Sequence, residues 1–158
     1  MLYNTLILPH ISYCNIVWGN SGKTKVNPIL LLQKKAIRIC TNSGYLTKTK
    51  PLFHRLKTLK TYDIHTHQTA LFMQKFNLKM LPEVFSNLFQ YNTNVHKYPT
   101  RHSQDFHLNN PKILMAHRSI RHNGPDIWNT LPTKIKKCKS LHSFKALTKK
   151  HLLSQYAV

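Results

Sequence analysis

PILLLQKKAIRIC, residues 28–40, carries the plainest structural signal in the chain. Ile29, Leu32, Ala36 and Ile39 recur at helical spacing and predict one apolar face, with Lys34, Lys35 and Arg38 on the other side. Asn27 fits an N-cap, and Pro28 fits the first helical position, where its missing N–H is harmless. The expectation is an amphipathic helix with a wholly cationic outer face.

Working outward, residues 2–18 place Leu2, Leu6, Ile7, Ile11, Cys14 and Val17 around most of a helical circumference, which predicts burial. Pro9 must kink that helix or begin a second one, and Gly19 to Gly22 end it as a loop. Downstream, Leu52, Phe53, Leu56 and Leu59 predict a short helix from Pro51. Ile64, Leu71, Phe72 and Phe76 predict a longer one capped by Thr61, and Pro82 restarts a short helix through Phe85, Leu88 and Phe89. Residues 91–104 are polar and are expected to link a helical subdomain, 1–90, to a basic C-terminal one, 105–158. Within the latter, Asp105 to Met115 has an extended pattern, and Ile120, Trp128 and Leu131 suggest a helix interrupted by Gly124-Pro125. Ser140 fits an N-cap for Leu141, Phe144, Leu147 and Leu152. The fold class expected is mainly α, a small assembly of five to seven helices with irregular loops.

Charge points to the partner. The chain has 158 residues, 24 Lys and Arg against 4 Asp and Glu, and a net charge of +20. A chain so one-sided repels itself and favours a polyanion, nucleic acid first and an anionic membrane surface second. Hydrophobic residues at 41% suffice for a core, so a disordered basic tail is not expected. Cys14, Cys40 and Cys138 are odd in number and far apart, which fits a reducing compartment rather than a disulfide framework. The apolar start lacks a basic leader region and a small-residue cleavage site, and Pro9, His10 and Asn15 interrupt it. An intracellular chain, nuclear or cytoplasmic and not secreted, is expected.

Five phrases bear a resemblance. They are LYNTLILPHISYCNIVWGN at 2–20, LLLQKKAIRIC at 30–40, PLFHRLKTLKTYDI at 51–64 with LPEVFSNLF at 81–89, SIRHNGPDIWNTLP at 119–132, and SLHSFKALTKKHLL at 140–153. In this order they resemble the segment that follows the polymerase core in LINE-type, non-LTR retrotransposon reverse transcriptases of the Jockey-like group. The resemblance implies a thumb- or linker-like helical region that touches template RNA and target DNA. It supplies no catalytic residue and no cofactor. The aromatic-x-Asp-Asp sequence of the polymerase lies outside the matched phrases. Partners implied are RNA or DNA, and the polymerase core or a second copy through Leu2–Val17. A small-molecule substrate is not expected, and a membrane is a weaker alternative.

The candidate chemistry agrees with a binding role. Polymerisation and phosphodiester cleavage need clustered carboxylates, whereas Asp63, Glu83, Asp105 and Asp126 are isolated and near turns or helix starts. His10 and Cys14 share a helical face, while His65 and His67 do not, and no zinc-ligand spacing occurs. Cys14 and Cys40 are expected in the core. The phosphate-binding candidates are Lys34, Lys35 and Arg38, and then Lys134, Lys136, Lys137 and Lys139 with Arg118 and Arg121 nearby. Lys145, Lys149 and Lys150 extend the second group. Tyr91, Tyr98 and Arg101 are secondary candidates for stacking on bases, and Trp18 and Trp128 are expected core anchors.

Overall fold

The computed structural model describes residues 2–95, 101 and 103–156. Among these residues the chain is mainly α, with a π-helical turn Tyr3–Ile7, a 3-10 turn Glu83–Phe85, and ten α-helices rather than five to seven. These are α1 Leu8–Ser12, α2 Asn15–Trp18, α3 Lys23–Cys40, α4 Thr49–Arg55, α5 Thr61–Asn77, α6 Asn92–Val95, α7 Leu114–Arg118, α8 Ile120–Thr130, α9 Thr133–Lys136 and α10 Leu141–Ser154. The count is higher because the first apolar stretch is cut into three pieces. Pro9, which has no N–H to donate, sits in the first turn of α1 directly after the π-helical turn. Cys14, in the left-handed region at φ 46°, then separates α1 from α2. His10 and Cys14 therefore do not share one helix face.

Packing divides the chain into two units, one of residues up to Gln68 and from Leu147 on, the other Thr69–Ala146. These boundaries fall inside α5 and α10, not at 91–104. The two ends of that expected linker are tied to one another, since the Asn92 N–H donates to the Asp105 carbonyl and the His107 N–H to the Gln90 carbonyl. Residues 96–100 and 102, and with them Tyr98, lie outside the described residues.

In the first unit α3 starts at Lys23, so Pro28 lies inside the helix and Asn27 is not its cap. The earlier start brings Val26 into line with Gln33 and Ile37, and these three are the buried residues of α3. The inward face is thus not the one expected. Leu32 is 64% exposed and Ile39 80%, because the row through Gln33 is turned inward instead. Gln33 is the reason a polar side chain can hold that place. Its amide nitrogen donates to Tyr3 Oη at 2.6 Å and to the Leu59 carbonyl at 2.8 Å. Its amide oxygen accepts from the Thr61 N–H and the Thr61 hydroxyl, both at 3.0 Å. Gln33 therefore caps α5, a task the sequence suggests for Thr61. Around this hub Tyr3, Ile37, Leu52, Phe53 and Tyr156 form one buried cluster, and Ile11, Leu59, Ile64 and Leu152 another.

The second unit is aromatic. Phe106 is fully buried, with Tyr91 stacked on it at 4.5 Å and Trp128 edge-on at 6.0 Å. Trp128 stacks in turn on Phe144 at 5.7 Å. Asn129 clips the Phe106 backbone from both sides, accepting its N–H at 3.1 Å and donating to its carbonyl at 2.9 Å. Gly124-Pro125 does not interrupt α8, which runs continuously through the pair. Gly124 has room for no side chain, since a Cβ there would lie 2.8 Å from Met73 Sδ and 3.3 Å from the Phe89 ring. The phrase at 119–132 is thus a packing motif: Gly124 for close approach, Trp128 and Leu131 for the core, and Asn129 for the Phe106 amide. The segment expected to be extended, 105–115, makes one isolated bridge, Phe106 to Tyr91, and enters α7 at Leu114. On α10, Thr148 takes the buried position and Leu147 is 41% exposed.

Candidate nucleic-acid interface

The first unit holds Asp63 as its one carboxylic side chain. That carboxylate is occupied by the Tyr156 hydroxyl, which donates to it while accepting the Lys60 N–H at 3.0 Å. Burial lifts the Asp63 carboxyl above its ordinary range, against the opposing pull of the Tyr156 hydroxyl and the Lys60 charge. Burial also raises the Tyr156 phenol, and donation to Asp63 raises it further. Lys60 lies over the Tyr156 ring, 4.3 Å from its centre. Its pKa is lowered, first by burial and then by the like charges of Lys50 and Lys34, with Asp63 opposing.

A basic cluster gathers where α3 packs on α4 and where Gln33 of α3 accepts the Thr61 N–H at the start of α5. Lys34 comes from α3, Lys50 from α4, and Lys60 from the residue before α5. Lys34 belongs to the ridge read from the sequence, whereas Lys50 and Lys60 were missed. Nothing in their spacing signals that α4 and the start of α5 converge on α3.

The other members of the α3 ridge have different surroundings. Lys35 is exposed, and its helix surface carries Leu31 and Leu32 as well as Ile39, so the outer face is mixed apolar and cationic rather than wholly cationic. Arg38 donates from Nε to the Thr47 carbonyl at 3.0 Å, and its guanidinium stands 5.9 Å from the centre of the Tyr45 ring. One edge of Arg38 is thereby used to hold the loop after α3.

In the second unit Lys136 is engaged internally. It pairs with Asp105 at 3.0 Å and donates to the Asn129 carbonyl at 3.0 Å, supporting the clip on Phe106. It is a structural residue here and not a free phosphate ligand. Lys134, Lys137, Lys139 and Lys145 are exposed, as are Lys149 and Lys150 in the part of α10 that belongs to the first unit. Arg118 is half-buried in the last turn of α7, and the exposed Arg121 lines a small polar cavity of about 190 Å³ with Asn87, Gln90, His107 and Asn109.

Tyr91 is turned inward onto Phe106 and donates to Asn77 Oδ1 at 2.6 Å, so it is not available to stack on a base. Arg101 is exposed. Trp128 is a core anchor at 4% exposure. Trp18 is half-buried at the edge of the Ile11–Leu152 cluster and donates to the Tyr13 carbonyl at 2.8 Å. Cys14 and Cys40 are exposed, contrary to the expected burial, because one sits at the break before α2 and the other ends α3 off its buried row.

His65 and His67 are both buried, although they are two residues apart on α5. His65 bonds through Nδ1 to the Asn15 carbonyl at 3.1 Å, and burial lowers its pKa. Among the described residues no three His, Cys, Asp or Glu side chains converge as a metal site would require. No described helix is long and apolar enough to cross a membrane. No family model, curated protein or solved structure matches the chain.

Proposed function

We propose that this chain is a non-catalytic, nucleic-acid-contacting segment of a retrotransposon reverse transcriptase, of the kind that follows the polymerase core in LINE-type elements. The gathering of Lys34, Lys50 and Lys60, where α3 packs on α4 and Gln33 holds the Thr61 amide, carries the reading. A group of like charges favours a polyanion, and phosphate is the polyanion that a reverse transcriptase segment meets. The contact is to backbone phosphates and is largely indifferent to sequence. Polymerase chemistry belongs to a core outside this chain, since the four carboxylates Asp63, Glu83, Asp105 and Asp126 stand apart along the sequence.

Salt dependence tests it. Affinity for RNA or DNA is expected to fall linearly on a log–log plot against salt, by roughly 0.9 per duplex contact and 0.7 per single-strand contact. The double change Lys34→Gln with Lys50→Gln is expected to flatten the slope by about 1.4 to 1.8. The same change at the exposed Lys75 and Lys79, at the end of α5 and just beyond it, is the comparison. Equal losses from both pairs would mean that net charge alone matters. Tighter binding to anionic vesicles than to any nucleic acid would favour the membrane-surface alternative instead.

A second reading is favoured by the apolar surface of the first unit. Leu2, Leu6, Val17, Leu31, Leu32 and Ile39 are between 57% and 83% exposed. Leu31, Leu32 and Ile39 lie close together around α3, and an apolar strip exposed on a helix suits an interface with the polymerase core or a second copy.

A further inference from the structure

The loop Thr41–Lys48, which follows α3, presents the most exposed aromatic-aliphatic pair beside the basic cluster: Tyr45 is 75% exposed and Leu46 89%. Exposure alone would mean little, but this loop is pinned. The Ser43 N–H donates to the Arg38 carbonyl at 2.9 Å and the Thr47 N–H to the Gly44 carbonyl at 3.0 Å. The hydroxyls of Thr41 and Ser43 bond at 2.8 Å, and Arg38 Nε ties down the Thr47 carbonyl. The Arg38 guanidinium then stands by the Tyr45 ring, within the range of a cation–π contact. Arg38 lies one helical turn after Lys34, so an aromatic ring with an adjoining guanidinium stands one turn along α3 from a member of the basic cluster.

We infer that Tyr45 is a stacking platform for an unpaired base, with Arg38 as its brace and the lysine cluster as the phosphate track, so that the first unit selects single-stranded over fully paired nucleic acid. A ring held in place before binding loses little freedom when a base lies on it, and every base offers a π-face, so the contact tolerates any sequence. A duplex keeps its bases stacked on one another and can use only the lysines. The inference rests on the phosphate-binding reading above and specifies which form of nucleic acid that site takes.

The experiment compares the full chain on two strands of equal length and charge, one oligothymidylate and one abasic, with the bases removed and the sugar-phosphate kept. The base-bearing strand is expected to bind tighter, on the order of five- to a hundredfold. Tyr45→Ala should abolish that preference without altering the salt slope, while Tyr45→Phe should keep it. Equal binding of both strands by the unaltered protein overturns the inference and leaves phosphate binding standing. So does a preference that survives in Tyr45→Ala. Failure to bind either strand at low salt overturns both readings. Helix content measured alongside each variant separates loss of the platform from loss of the fold.

Discussion

Gln33 occupies a position at which an apolar residue would be expected, and its four hydrogen bonds make the exchange costly. Gln33→Leu would keep the volume but leave the Tyr3 hydroxyl, the Leu59 carbonyl and the Thr61 N–H buried without this partner. Each abandoned group costs about 1–3 kcal/mol, so a loss of about 3 kcal/mol or more is expected in urea unfolding. Leu32→Ala, on the exposed side of the same helix, should shift stability by less than about 0.5 kcal/mol. Equal effects of the two changes would show that the inward face of α3 is not the one through Gln33. This residue also marks a limit of sequence reading. Periodicity weighs apolar side chains, and it assigned the face of α3 by Leu32 and Ile39. The true face is centred on a glutamine whose partners lie 26 to 30 residues away in sequence.

At the scale of elements, the joint between α2 and α5 depends on the absence of a side chain. Gly19 has an ordinary φ of −65°, so its backbone would suit any residue. Space is the constraint, since a Cβ would stand 2.6 Å from both the Asn15 carbonyl and its side-chain oxygen, and 2.7 Å from His65 Nδ1. Two of these contacts involve backbone or a fully buried side chain, which yield little. Gly19→Ala is therefore expected to destabilise the protein by about 1–3 kcal/mol, with a lower thermal midpoint as the readout. A midpoint unchanged or raised would mean that α2 can move off α5 freely. Element types were legible wherever apolar spacing was strong, as in α3, α5 and α10. Ends and breaks were less so. Cys14 carries no turn signature, and the proline of Gly124-Pro125 reads as a breaker, although position six of α8 tolerates it. The lysine ridge was half legible: Lys34 was visible on its helix, while Lys50 and Lys60 join it only through tertiary packing.

For the molecule as a whole, two forces act in opposite directions with salt. A charge of +20 keeps copies apart at low ionic strength, whereas the exposed leucines and isoleucine of α3 draw them together once charge is screened. Self-association is expected to rise with salt over the range in which nucleic-acid binding falls. Light scattering on Leu31→Gln with Leu32→Gln and Ile39→Gln should show a particle that remains dispersed, with helix content unchanged. An unaltered protein that is monomeric at every salt concentration would rule out a second copy as the partner of that surface. The basic balance was plain from composition, but the apolar surface was not, because which side of α3 faces solvent depends on Gln33. The first unit is discontinuous, and it closes only when Leu152 and Tyr156 reach residues such as Phe53 and Asp63. Synthesis runs from the N-terminus, so Thr69–Ala146 leaves the ribosome complete while the unit begun before it still lacks its last strip. The half of the chain made first is the half that finishes last, and until then its apolar surfaces wait uncovered in the company of the translating RNA.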